Sequence, residues 1–177
     1  MKKDITICVG TVGYPTINKC LSIVSGIQGR DKRVKAVHVV KNKYPTSEWL
    51  NQMGYLSKTT WCLQVDEDMY LKENAIDRLI NLARKKESDG VKILNASSLL
   101  HDTFLNCSIG SLKLWRVEPL RRLKFKDVPG SDRNIAKRAE RLGYYNVSCK
   151  EVLGFHDSAP SPMIAYFKYR EYVSKAV

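Results

Sequence analysis

The chain has 177 residues, which is enough for one domain with a substantial core and short for two. Its 30 Lys and Arg against 18 Asp and Glu leave a net charge of +12, which favours anionic partners such as nucleotide phosphates, nucleic acid or acidic lipid. Five cysteines, an odd number, argue against a secreted domain built on disulfides, and no apolar run approaches the about 20 residues of a membrane span.

The first half of the chain alternates apolar runs with helical patterns. Strands are predicted at residues 5–12, 34–40 and 60–65, with helices beginning at Thr16, at residues 45–46 and at about residue 72. Thr16 is the expected N-cap of the first helix. This alternation implies right-handed crossovers and a mainly parallel sheet covered by helices on both faces. The sequence therefore predicts a three-layer α/β fold, whose ligands bind at the carboxyl ends of the strands.

The second half of the chain has a less regular pattern. Further strands are predicted at residues 91–97, 109–117 and 147–153. A helix is expected to start at Asp132, to bury Leu142 on its inner face and to stop at Gly143. We predict a single domain over residues 1–157. A C-terminal aromatic and basic tail follows over residues 158–177 and is expected to be helical.

Three acidic residues follow the third predicted strand directly, as Asp66-Glu67-Asp68. A buried strand that ends in carboxylates places oxygen ligands at the edge of the sheet. Such ligands suit a hard cation such as Mg²⁺ or Mn²⁺, which can in turn hold a diphosphate. The alternative interpretation is a solvated acidic turn.

The charge pattern around the acidic motif favours the cation site. Residues 61–112 carry six basic and eight acidic side chains. Residues 1–60, by contrast, carry ten and three, and residues 113–141 carry ten and four. An acidic patch between two basic segments is expected where a metal and an anionic ligand share a cleft, although general solubility explains basic segments equally well.

Four motifs stand in the order seen in the GT-A fold glycosyltransferases, and the chain resembles a compact family 2-type member. The resemblance runs from about residue 4 to residue 157. The motifs are the DxD-like Asp66-Glu67-Asp68, the glycine-loop-like Ile109-Gly110-Ser111, the xED-like Gly130-Ser131-Asp132 and the C-terminal His156 in Leu153-Gly154-Phe155-His156-Asp157.

The resemblance implies a site for Mn²⁺ or Mg²⁺. Asp68 would bind the metal directly, and Asp66 would contact the ribose or bind the metal through water. His156 would be a third ligand or a phosphate contact, whereas a lone histidine is more often structural. The metal would neutralise the diphosphate leaving group.

The resemblance also implies roles around the sugar. Asp132 would be the general base that deprotonates an acceptor hydroxyl, although an Asp before an apolar-periodic run is also an ordinary N-cap. Gly110 would let the backbone approach the donor sugar or the acceptor. The alternative interpretation is that this glycine belongs to a simple turn. The nucleotide base and ribose would be wrapped by Thr11, Val12, Gly13, Tyr14 and Pro15.

Two positions depart from the family pattern. Asn42 follows the second strand where the family commonly has an acidic pair, so a pyrimidine contact would have to come from its amide. Ser131 stands where Glu is usual, so acceptor positioning through that Glu is lost.

The sequence therefore predicts a metal-dependent glycosyltransferase that uses a nucleotide-diphosphate sugar, with a UDP-sugar favoured and with inversion. The alternatives are a sugar nucleotidyltransferase-like enzyme and a non-catalytic basic module that binds nucleic acid. The acceptor is expected to be a glycan, a lipid carrier or a modified nucleic acid, and a cytoplasmic location with optional peripheral membrane contact is predicted. The side from which the acceptor arrives is expected to be bordered by Arg116, Arg121, Arg122, Lys124 and Lys126.

Overall fold

The computed structural model describes residues 3–41, 45–157 and 163, and it places one mixed sheet between two layers of helices. Asn42 and, apart from residue 163, the predicted tail lie outside the described residues. The strands are β1 (Ile5–Thr11), β2 (Val34–Lys41), β3 (Trp61–Asp66), β4 (Met69–Leu71), β5 (Lys92–Asp102), β6 (Cys107–Arg116) and β7 (Tyr144–His156). The helices are α1 (Thr16–Arg30), α2 (Thr46–Leu56), α3 (Ala75–Ser88), α4 (Val117–Leu123) and α5 (Ser131–Glu140).

The strand order across the sheet is β2-β1-β3-β6-β5-β7-β4. The strands β2, β1 and β3 are parallel, and β6 runs antiparallel between β3 and β5. At the far side, β7 is parallel to β5 and antiparallel to β4. The carboxyl ends of β1, β2, β3, β5 and β7 therefore lie at the same edge of the sheet, while β6 ends at the opposite edge. The predicted three-layer α/β architecture is confirmed.

The two faces of the sheet carry separate hydrophobic cores. α1 and α3 pack on one face, against alternate residues of β1 such as Ile7 and Val9. α2, α4 and α5 pack on the other face, which includes Cys8 and Trp115. Gly10 also lies on that second face of β1, and a Cβ at this position would come 2.9 Å from ring carbons of Trp49. The glycine thus permits α2 to pack closely beside the carboxyl end of β1.

Two predicted helix starts are wrong in detail. Pro15 occupies the N-cap of α1, and Thr16 is the first helical residue, because the Ile17 N–H donates to the Tyr14 carbonyl and turns Thr16 inward. Gly130, with φ of 65°, occupies the N-cap of α5, so Asp132 lies inside the first turn, where its carboxylate pairs with Lys113.

Other differences concern short or exposed segments. The strand β4 and the helix α4 were not predicted, and Leu142 is exposed rather than buried because α5 ends at Glu140. All five cysteines are free thiols in the structure. None of the helices within the described part of the chain has the length and apolar character needed to cross a membrane.

Candidate functional site

The shared carboxyl edge of the strands gathers polar residues that are distant in sequence. The Asp66 register partner on β1 is Gly10, which immediately precedes the turn over residues 11–15. The last residues of β5 and β7, Asp102 and His156, are paired with each other. The main-chain N–H of Asp157 donates to the carbonyl of Asp68 over 2.8 Å. The predicted acidic turn, the predicted nucleotide turn and His156 thus meet at one edge.

His156 and Asp68 face each other across this edge. The His156 Nε2 atom is 3.4 Å from Asp68 Oδ2, and both side chains are largely shielded from solvent, with exposures of 13% and 15%. Two groups that can each donate a lone pair to a cation are therefore held side by side.

The other ring nitrogen of His156 is engaged by a buried carboxylate. His156 Nδ1 is 2.8 Å from Asp102 Oδ2, and Asp102 is only 1% exposed. Oδ1 of Asp102 accepts hydrogen bonds from the N–H groups of Phe104 and Leu105, at 3.0 and 2.8 Å. A carboxylate acts as the acceptor in such a pair, so the contact with Asp102 assigns a proton to Nδ1, while Nε2 is directed at Asp68.

The residues present fit a divalent cation that binds together with phosphate. Within residues 3–41, 45–157 and 163, no three His, Cys, Asp or Glu side chains are arranged to hold a metal ion alone. Mg²⁺ sites for nucleotides need only one or two protein ligands, because phosphates and waters complete the coordination, and Mn²⁺ also accepts imidazole. Asp68 with His156 supplies such a partial set, and Asp102 supplies the outer hydrogen bond typical of a ligating histidine.

The negative potential of the acidic turn is evident at a neighbouring thiol. Cys20 of α1 lies beneath the turn, with Sγ 3.8 Å from the Asp66 carbonyl oxygen. Burial raises the pKa of Cys20 to about 12, and the charges of Asp68, Asp66 and Glu67 contribute to the rise in that order. Three carboxylates therefore create a negative potential at one buried thiol, and a bound cation would reduce that potential.

Glu67 is buried and has a role that the sequence did not predict. It is 4% exposed, and its carboxylate accepts hydrogen bonds from the Val12 N–H at 2.9 Å, the Tyr14 N–H at 3.0 Å and the Thr11 hydroxyl. Gly13 N–H donates to the Thr11 hydroxyl oxygen at 2.9 Å. The middle acid of the motif therefore fixes the turn over residues 11–15, and the turn's N–H groups at residues 12–14 are used within the protein.

We expect Glu67→Gln to lower the free energy of unfolding by about 1–3 kcal/mol and to weaken nucleotide binding. The introduced NH₂ group cannot accept a hydrogen bond, so at least one donor of the turn would lose its acceptor. Urea unfolding and nucleotide titration measure the two effects. Glu73→Gln is the matched control, because Glu73 is exposed and forms a surface ion pair with Arg30, so its loss should change neither quantity appreciably. Unchanged stability and binding in Glu67→Gln would contradict the anchoring role.

Asp132, on α5, lies over the same face of the sheet as Asp66. The Lys113 ammonium donates to Asp132 Oδ2, and Lys113 is the register partner of Gln64, two residues before Asp66. Gln64 accepts from the Trp115 indole N–H at 2.9 Å on the face covered by α2, α4 and α5. Side chains two positions apart on a strand share a face, so Asp66 lies on this face as well. Asp132 has a side-chain exposure of 43%, and Lys113 contacts one of its two carboxylate oxygens.

The surface above Gly110 is open. A Cβ at this position of β6 would meet no atom within 4 Å, so packing within the described part of the protein does not require a glycine here. Gly110 is the register partner of Leu99, where the pairing of β5 and β6 shifts, so both this irregularity and the approach of a ligand are reasons for a glycine in the strand.

The basic residues expected to border the acceptor lie elsewhere. Arg116 is paired with Trp61 at the start of β3, the edge opposite Asp66. It also forms an ion pair with Glu87 at 3.2 Å, and Arg121 donates to carbonyls of Gly54 and Ser57 at the end of α2. Together with Arg122 they line a separate cleft of about 660 Å³. These three arginines therefore lie away from the carboxyl edge that carries Asp66, because β6 runs antiparallel to β3, and their place beside an acceptor stays a prediction.

The sequence did not predict the roles of three residues of the site, namely Glu67, Asp102 and Lys113. For Glu67 a usable signal existed, since a third acid inside an acidic motif at a strand end is placed to bond a neighbouring turn. Asp102 lies beyond the predicted end of its strand, and Lys113 lies within a basic segment, so neither carried a local signal.

No protein-family model and no curated protein sequence matches the chain. Among solved structures, it is similar to the mannosyltransferase PcManGT from Pyrobaculum calidifontis, in complex with GDP-Man and Mn²⁺, with a TM-score of 0.70 and 14% identity. That alignment covers 96% of this chain and 61% of the other, so the chain spans less than two thirds of the mannosyltransferase.

Two further solved structures are similar to the chain. Glucosyl-3-phosphoglycerate synthase from Mycobacterium tuberculosis, in complex with Mn²⁺, UDP and phosphoglyceric acid, gives a TM-score of 0.65 at 14% identity over 89% of this chain and 72% of that one. S. aureus TarS 1–349 gives 0.58 at 12% identity over 94% and 63%. At these identities the likeness establishes architecture alone, and it shows that the chain has the GT-A glycosyltransferase fold.

Proposed function

We propose that the chain is a metal-dependent glycosyltransferase, which moves a sugar from a nucleotide-diphosphate sugar to an acceptor hydroxyl with inversion at the anomeric carbon. The observation that carries the proposal is the meeting of Asp68, His156 and the anchored turn over residues 11–15 at the carboxyl edge of a GT-A sheet. Similar solved structures contain GDP-Man, UDP or UDP-GlcNAc, and two of the proteins were solved with Mn²⁺ or Mg²⁺.

The donor would occupy the carboxyl edge of β1 and β3. The N–H groups of residues 12–14 are bonded to Glu67 and Thr11, so they are not available to a phosphate. The exposed Tyr14 ring would instead contact the base or the ribose. Asp66 would contact the ribose or hold a metal-bound water. Asn42 remains a predicted contact for the base, and Gly110 would leave room for the sugar.

Asp68 and His156 would hold the Mn²⁺ or Mg²⁺ that neutralises the diphosphate. Asp132 would accept the proton of the acceptor hydroxyl while the hydroxyl oxygen attacks the anomeric carbon and the bond to the diphosphate oxygen breaks. For this step the hydroxyl either uses the carboxylate oxygen that Lys113 does not contact or displaces the Lys113 ammonium. A single base opposite the leaving group gives inversion. The acceptor is a glycan, a lipid carrier or a modified nucleic acid.

The same turn argues against the nucleotidyltransferase alternative. An enzyme that takes a nucleoside triphosphate typically presents loop N–H groups to the phosphates after its first strand. Here those N–H groups are committed to Glu67 and to the Thr11 hydroxyl.

A thermal-shift panel tests the proposed function. Ligands that bind only the folded state raise the melting temperature, so a UDP- or GDP-sugar together with Mn²⁺ should raise it more than either component alone, and EDTA should remove the increase. Stabilisation by nucleoside triphosphates but by no nucleotide sugar would favour the nucleotidyltransferase, and stabilisation by nucleic acid alone would favour the basic module.

A further inference from the structure

Asp102 is a buried carboxylate at the candidate site that the proposed transfer step does not use. It ends β5, is 1% exposed and lies 54 residues before His156, its partner. A buried carboxylate is costly unless hydrogen bonds compensate the lost hydration. Asp102 accepts hydrogen bonds from two main-chain N–H groups, and it also contacts the His156 ring.

The two oxygens of Asp102 make different kinds of contact. Oδ1 accepts the N–H groups of Phe104 and Leu105, which closes the turn between β5 and β6. Oδ2 faces His156 Nδ1 at 2.8 Å. Closing the turn needs Oδ1 alone, so the contact at Oδ2 calls for a separate explanation.

The main chain of His156 is fixed from the same loop. Its carbonyl accepts the Thr103 N–H at 3.0 Å and the Thr103 hydroxyl at 3.3 Å. On the other side, Met69 of β4 is its register partner. With the backbone fixed on both sides and Nδ1 bonded to Asp102, the ring has one orientation, in which Nε2 lies 3.4 Å from Asp68 Oδ2.

We propose that Asp102 is a positioning residue that acts through His156. By holding the proton on Nδ1 it presents the Nε2 lone pair on the Asp68 side, and it thereby sets the affinity of the site for a divalent cation. The inference rests on the proposed function, because it takes His156 as a metal ligand.

Asp102→Asn separates this role from closure of the turn. The side-chain oxygen of the introduced asparagine can still accept from Phe104 and Leu105, whereas its NH₂ would donate to Nδ1 and move the ring proton to Nε2. We expect Mn²⁺ affinity, titrated calorimetrically with UDP and with GDP present, to fall about 10- to 100-fold. The melting temperature without metal should stay close to that of the wild type.

Two comparisons sharpen the measurement. Asp89→Asn makes the same charge change at an exposed residue paired with Lys86 and should leave Mn²⁺ affinity unchanged. In a double-mutant cycle, Asp102→Asn combined with His156→Ala should bind Mn²⁺ no more weakly than His156→Ala alone, because Asp102 acts only through the ring. Additive losses, or wild-type affinity in Asp102→Asn, would overturn the inference.

The ring tautomer provides a test that needs neither turnover nor metal. The ¹⁵N shifts of the neutral His156 ring should place the proton on Nδ1 in the wild type and on Nε2 in Asp102→Asn. A wild-type proton on Nε2 would overturn the inference, and this holds even if Asp102→Asn does not fold. No Mn²⁺ binding by the wild type with either nucleotide would instead overturn the metal role of His156 and the proposed function with it.

Discussion

Asp68→Asn is expected to reduce sugar transfer by about 10²–10³-fold, the size of effect seen when a group that stabilises transition-state charge is removed. Asp68 is the carboxylate of the acidic turn that lies beside His156, and an amide oxygen in its place is a weaker ligand without charge. Because Asp66 and Glu67 add like charges beside it, the loss of one charge should leave the metal-free fold intact. Initial rates at saturating Mn²⁺ and donor, together with melting curves, measure both expectations.

The matched control for this variant is Asp89→Asn, an exposed carboxylate that follows α3, with the same change in charge. It should keep wild-type transfer and Mn²⁺ dependence. In the wild type, EDTA should abolish transfer, and Mn²⁺ or Mg²⁺ should restore it. Full transfer by Asp68→Asn, or transfer that resists EDTA, would show that the acidic turn does not hold a catalytic metal.

The second large effect is expected for Asp132→Asn, which should cut transfer by about 10²-fold or more while donor affinity stays nearly intact. The asparagine keeps the shape of the side chain but cannot take a proton from the acceptor. Asp132 is not the N-cap of α5, a position held by Gly130. The loss of stability should therefore stay within about 0.3–1 kcal/mol for a first-turn charge on a helix, with up to about 1 kcal/mol more for the ion pair with Lys113. Transfer kinetics and a separate titration of the donor measure the two quantities.

Lys113→Gln serves as the comparison for Asp132→Asn. It breaks the same ion pair but leaves the carboxylate in place, so it should retain far more transfer activity than Asp132→Asn. If both variants lose the same modest stability and neither loses transfer, the pair is structural and the base lies elsewhere.

The first half of the fold could be predicted because its central strands are continuous apolar runs buried on both faces. Trp61, Leu63 and Val65 contribute to one core and Cys62 to the other, and the run is too short for a helix. Three-residue β4 is too short to show a period. Helix α4 has seven residues with Pro119 in its first turn, so its pattern did not stand apart from that of the preceding strand.

The site was partly predictable for a topological reason. Parallel strands bring their carboxyl ends together, so acids after β3 and a turn after β1 had to share an edge, whichever strands lay between. Glu67 bonds a turn that precedes it by 53–56 positions in the sequence, and Asp102 contacts a histidine 54 positions after it. No local sequence pattern encodes such contacts. The sequence likewise did not indicate the direction of β6, which determines the edge of the sheet at which Arg116 lies.

The anchoring of residues 11–14 by Glu67 has a thermodynamic consequence for ligand binding. Ordering one backbone residue costs about 1–2 kcal/mol of conformational entropy. Here that cost is met when the chain folds, since the Val12 and Tyr14 N–H groups and the Thr11 hydroxyl are already bonded to Glu67. A nucleotide therefore meets a preorganised surface, and little of its intrinsic affinity is spent on loop ordering, so calorimetry should show only a small entropic penalty.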